Sequence, residues 1–267
     1  QAVFNTDGGS GNLEASDFAF SLSGGTTSLS SATPTSISIS GNVYTLGIGL
    51  SGTPNGSETL TVKPVEFSIY DASGNAVLVV QKVAYSVTLN DKLAPTITST
   101  ADIPVGNATV AVTFSESVYN TNGGSGALQA SDFAFAISGG TATLSSATPT
   151  SISASGNIYT LGIGFSSAAN GSETLTITPV ANSIYDAGGN AAGTTQSNNT
   201  VNPNEKVLPI ITATAMADDN TTVNVTFSEA VFAAYGNGAA SGDLAVSDFV
   251  YSLSGGEATL VSTTPSS

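Results

Sequence analysis

The side chains with chemistry to offer are almost all carboxylates. The 267 residues carry 19 Asp and Glu against four cations, Lys63, Lys82, Lys92 and Lys206, for a net charge of −15. The acids recur in matched sets: Asp17, Asp132 and Asp248; Asp71 and Asp186; Asp91 and Glu205; Glu116 and Glu229; Glu58 and Glu173. Asn75 and Asn190 follow the second set at a constant distance. Gathered oxygens of this hard type are what Ca²⁺ takes, about six to eight at a time, and a cation also answers the repulsion among them. Other chemistries lack their parts. With no His and no Cys, zinc has no ordinary ligand set and a Ser or Thr nucleophile has no imidazole base. Paired carboxylates can cleave glycosides, but acids that return in every copy suit a structural task better than one specialised cleft. "GGSG" at Gly123–Gly126 is followed by no helix, so it reads as a loop and not as a phosphate cradle. The expectation is a protein without an active site.

Those acids recur because the chain repeats itself. "LSSATPTSIS" stands at Leu29–Ser38 and again at Leu144–Ser153, and "LVSTTPSS" begins at Leu260. "SDFAF", "SDFAF" and "SDFVY" begin at Ser16, Ser131 and Ser247, and residues 4–76 align on 119–191 without a gap at 54 of 73 identical positions. A period near 115 residues exceeds the solenoid range of about 20–50 and fits a small domain. "NDKLAPTI" (Asn90–Ile97) and "NEKVLPII" (Asn204–Ile211) read as linkers, each with a Pro that presets an extended entry. The boundaries expected are 1–92, a copy lacking its first strands; 93–206, a complete copy; and 207–267, a copy lacking its last strands.

Within a copy the pattern has period two. Val110, Val112 and Phe114 alternate with Thr109, Ala111 and Thr113. Tyr159, Leu161, Ile163 and Phe165 alternate with Ile158, Thr160, Gly162 and Gly164, and Phe133 and Phe135 share a face. Val112, Phe114, Phe133, Phe135, Leu161 and Ile163 are the expected core. Gly-, Asn- and Ser-rich turns punctuate these β-branched runs. Short strands at this spacing predict an all-β fold, tandem immunoglobulin-like β-sandwiches in a linear array.

That topology sorts the acids. Asp91 enters from the linker, Glu116 ends the second strand, Asp132 begins the third, and Asp186 and Asn190 follow the sixth; all fall at one pole. They form the expected Ca²⁺ site at a junction. Glu205, Glu229 and Asp248 are the matching set at the next junction, and Asp17, Asp71 and Asn75 their counterparts in the first copy. The alternative is local: Asp186 and Asn190 shape a turn, Asp132 caps the backbone and Glu116 is solvated. Glu58 and Glu173, in "NGSET", read as solvated carboxylates. Tyr119 and Tyr235 adjoin Gly-rich loops, and nothing marks them as a binding platform.

At "VTFSESV" (Val112–Val118), "SDFAFAISGG" (Ser131–Gly140) and "YDAGGNA" (Tyr185–Ala191) the unit resembles the bacterial immunoglobulin-like repeats strung in tandem in large cell-surface adhesins, including those of gliding bacteria. Ser117 and Ala230 stand where that family often has Pro. The resemblance implies an extracellular, cell-surface segment for cell adhesion, a stalk, adhesin or filament, whose partners are neighbouring repeats of the same chain and surface glycans or other fibre copies. A glycan-binding or spacer module beside a secreted enzyme is the other expectation. The acidic balance argues against nucleic acid and anionic lipid, and no apolar run reaches the ~18 residues of a membrane span. Gln1 starts inside a repeat, so the expectation is a segment of something longer.

Overall fold

The computed structural model of the chain describes residues 2–78, 85–236 and 239–266; Lys82 lies outside them. The fold is nearly all β, in small antiparallel sheets, and the helical turns among the described residues are three short 3₁₀ turns. The chain forms two compact units, Gln1–Glu205 and Lys206–Ser267. The first holds two copies of the repeat.

The second copy has seven strands: β1 (Ile97–Thr100), β2 (Thr109–Phe114), β3 (Phe133–Ser138), β4 (Ile152–Ser155), β5 (Ile158–Gly162), β6 (Thr174–Pro179) and β7 (Thr200–Val201). They build one sheet in the order β1-β2-β5-β4 and another in the order β3-β6-β7. Alternation decides which side chains meet. Val110, Val112 and Phe114 on β2 and Tyr159 and Leu161 on β5 face Phe133 and Phe135 on β3 and Leu175 and Ile177 on β6, in one buried cluster. Phe114, Phe133 and Tyr159 form a triangle with ring centroids 5.8–6.3 Å apart, a spacing that favours tilted and edge contacts. All six core residues expected from the sequence are buried.

Each edge of the chain path is tied. β1 pairs with β2 through Ile97↔Phe114, with a bulge before Ser99. On its other side the Ile97 N–H donates to Gln196 Oε1 (2.7 Å) and Thr100 Oγ1 donates to the Asn198 carbonyl (2.7 Å). At the exit, Asn107 Nδ2 donates to the Asn204 carbonyl (2.6 Å), and the Asn204 N–H donates to Asn107 Oδ1 (2.9 Å). Asn204 Nδ2 adds a bond to the Ile103 carbonyl (2.8 Å). The chain therefore enters beside the start of β1 and leaves beside the β1–β2 loop, at the opposite end.

In the first copy Phe18–Ser23, Thr59–Pro64 and Tyr85–Thr88 form a three-stranded sheet in the register of β3, β6 and β7: Phe18↔Pro64 repeats Phe133↔Pro179. A hairpin of Ile37–Ser40 and Val43–Leu46 repeats β4 and β5. The second unit carries a hairpin of Ile211–Met216 and Val223–Phe227, which pairs Ile211↔Phe227 with the bulge of β1 in the same place. Phe227 and Phe249 stand 6.3 Å apart, as Phe114 and Phe133 stand 6.2 Å apart.

Candidate metal centre

Three of the expected carboxylates meet. Asp91, Glu116 and Asp186 each place an oxygen within 4.8 Å of the others. Each arrives from a different element. Asp91 lies in the linker, where its Oδ1 accepts the Leu93 N–H (2.9 Å), while the next N–H, of Lys92, donates back to the Pro54 carbonyl of the first copy (2.9 Å). Glu116 follows β2 and is placed by Ser115, whose N–H donates to the Thr96 carbonyl (2.9 Å) and whose Oγ accepts the Thr96 N–H (3.1 Å). Asp186 sits in the turn after β6, beside the Tyr119–Tyr185 bridge. Asp186 is fully buried; Asp91 and Glu116 are half-buried.

The electrostatics are those of crowded anions. Burial pushes the Glu116 carboxyl up, and the charges of Asp186 and then Asp91 push it further, to about 6 from an ordinary 4.5. Asp186 has compensation: its Oδ1 accepts the Asn190 N–H (2.8 Å) and its Oδ2 accepts Asn190 Nδ2 (2.8 Å). Asn190 Nδ2 also donates to the Asp91 carbonyl (3.2 Å). Thus the amide expected to lend an oxygen turns its nitrogen to the acids. It orients Asp186 and holds the linker; the turn bonds and the convergence coexist.

The structure places the remaining expected ligands elsewhere. Asp132 is not in the group: its Oδ2 accepts the Gln129 N–H (2.7 Å) and closes the 3₁₀ turn Ala130–Asp132. Asp17 and Asp248 do the same for Glu14 (2.7 Å) and Ala245 (2.8 Å). A short acid three residues after a free N–H closes a turn locally at little entropic cost, which commits all three carboxylates to their own turns. Asp71 and Asn75 repeat the Asp186–Asn190 turn, with Asp71 Oδ1 accepting the Ser73 N–H (2.8 Å) and Oδ2 accepting Asn75 Nδ2 (2.9 Å). Glu205 belongs to the first unit and Glu229 and Asp248 to the second, so the Asp91 junction is the one contained in a single unit.

Glu58 and Glu173 overturn their solvated reading: both are wholly buried. Glu173 Oε1 accepts the N–H groups of Thr141 (2.8 Å), Ala142 (2.9 Å) and Asn170 (3.1 Å). Glu58 takes Thr26, Thr27 and Asn55 likewise. Burial pushes the Glu173 carboxyl up, but the donors of Ala142, Asn170, Thr141 and Glu173 itself outweigh it and hold it down at about 2. Gly140 makes room: a Cβ there would stand 2.2 Å from Glu173 Oε1, and its φ of +53° already favours glycine. The signal was present in "N-x-x-E". Asn170 Oδ1 accepts the Ser172 N–H (3.0 Å) while Glu173 reaches back to Asn170, the reciprocal logic of a capping box without a helix.

Composition alone also hid two glycines beside Asp91. A Cβ at Gly56 would stand 3.2 Å from Asp91 Cβ, and one at Gly188 3.1 Å from it. The arrangement offers three carboxylates and no nucleophile–base pair, so it can hold a hard cation and brace a linker. No helix among the described residues is long and apolar enough to cross a membrane. No family model matches the chain, and no curated protein or solved structure matches it either.

Proposed function

We propose that the chain is a structural and adhesive segment of a long extracellular tandem-repeat surface protein, a stalk, adhesin or filament, whose joints bind Ca²⁺. The observation that carries this reading is the convergence of a linker carboxylate, Asp91, with Glu116 and Asp186 of the copy that follows. A cation held there draws ligands from the linker and from the folded copy at once, and so removes hinge freedom. The strand order β1-β2-β5-β4 against β3-β6-β7 supports immunoglobulin-like sandwiches as the units. The near-identity of successive copies supports an array.

Three carboxylates fall short of a full calcium shell, so water completes it and affinity is weak, about 10⁻⁴–10⁻³ M as in extracellular modules. The test is calorimetry and small-angle scattering on the full chain, with calcium and with chelator. Calcium at about 100 times the dissociation constant adds about 2.7 kcal/mol of stability to the folded state. Asp91→Ala combined with Glu116→Ala abolishes that gain. Equal melting temperature and equal maximum dimension in both conditions would refute the reading.

A further inference from the structure

Gly188 has no conformational need to be glycine, since its φ lies outside the left-handed region, yet space around it is short on three sides. A Cβ would stand 3.1 Å from Asp91 Cβ, 3.1 Å from Asn190 Nδ2 and 3.3 Å from Asp186 Oδ1. On its other side Asp91 meets Gly56, where a Cβ would stand 3.2 Å away. The linker residue is thus gripped between a glycine of each copy. Three hydrogen bonds hold the grip: Asn190 Nδ2 to the Asp91 carbonyl, Lys92 N–H to the Pro54 carbonyl, and Leu89 N–H to the Glu58 carbonyl (2.9 Å). The docked linker also covers the turn. Asp186 beneath it is fully buried.

That matching turn reads Asp71-Ala72-Ser73-Gly74-Asn75, against Asp186-Ala187-Gly188-Gly189-Asn190. The Asn-to-Asp bonds recur in both turns, and in the first the Ser73 N–H adds a bond to Asp71 Oδ1 (2.8 Å), so the turn itself accepts serine. We propose that the residue at this third place sets how a copy joins the one before it: glycine admits the linker to close contact and makes a rigid joint, and serine holds the linker off. Stiffness at the Asp91 joint then needs no cation, and the inference stands whether or not calcium binds. The forward half of the grip recurs at the next linker, where a Cβ at Gly171 would stand 3.3 Å from Glu205 Cβ. What varies between copies is the receiving glycine.

Lys92 supplies the readout, because trypsin cleaves after it only when the linker leaves its seat. The full chain is digested with chelator present throughout, and cleavage after Lys92 is followed against cleavage after Lys206. Gly188→Ser raises the Lys92 rate by about tenfold and leaves the Lys206 rate unchanged, since cleavage tracks the population of the open joint. Asn190→Ala, which removes the bond to the Asp91 carbonyl, raises it as well. Gly193→Ser, at a glycine whose nearest neighbour to a Cβ is the Thr195 carbonyl oxygen at 3.7 Å, changes nothing. Scattering shows a larger spread of dimensions for Gly188→Ser than for the parent. A Lys92 rate within about twofold of the parent overturns the proposal. So does an equal rise after Lys206, which would report loss of the fold and not of the joint.

Discussion

Glu173 is a charge placed inside the fold for backbone donors to grip. Glu173→Gln keeps the shape and can leave its amide oxygen on the three donors, but it removes the charge they grip and turns the NH₂ toward the Asn170 N–H, so it costs about 2–3 kcal/mol in urea melts. The folded carboxyl sits at about 2, below its ordinary 4.5, so its contribution is present above about pH 4.5 and is lost as pH falls toward about 2. Melts across that window therefore lose stability more steeply in the parent than in the Gln variant; equal slopes would mean the donors do not grip the charge. Glu116 has the opposite sign. Its carboxyl is raised to about 6, so its charge costs stability as pH rises from 4.5 through 6. Glu116→Gln in chelator gains about 1 kcal/mol once solvent screening at this half-exposed group is allowed for. The same variant loses the response to calcium. A variant that is destabilised in chelator would show that the three acids do not repel one another.

The elements follow from alternation, and the core was readable for that reason. On β2 and β5 the apolar set falls on one face, and a slip of one residue would turn all of it to solvent. Phe114 lies at the centre, in contact with rings from both sheets. Phe114→Ala costs about 3–5 kcal/mol in denaturant melts; a loss under about 1 kcal/mol would mean the ring is not packed as described. The acidic pole was readable in part. Asp91, Glu116 and Asp186 could be placed because strand ends and the linker fix where a chain must pass. Asp132 and Asn190 could not, because their roles depend on which backbone N–H lies free within three or four residues. Glu173 was misread for a related reason. Its local bond to Asn170 was legible in "N-x-x-E", but its partners Thr141 and Ala142 are about thirty residues away, and a turn sequence does not announce a distant loop.

At the scale of the molecule, the second copy carries its own buried core, so residues 93–206 fold alone into a cooperative unit with a β-type far-ultraviolet spectrum. A helix content above about a fifth would contradict the fold. The exit of that copy has a mechanical consequence. A chain pulled from both ends feels tension first at its weakest attachment, and strands β1 and β7 are only four and two residues long. Asn204 stands between the exit and β7, and its amide is bonded to Asn107 and to the Ile103 carbonyl at the far end of the β1–β2 loop. Load arriving along the following linker is passed by these side chains into the β1–β2 hairpin before it reaches β7. The bonds to Asn107 and Ile103 must then give way before β7 carries the load alone. The asparagine pair acts as a strain relief for the copy, like the knot that spares a cable its solder joint. In single-molecule extension, Asn107→Gly, which removes the side chain bonded to both the N–H and the carbonyl of Asn204 and keeps the left-handed φ of +54°, lets β7 peel first and lowers the force at which the copy gives way.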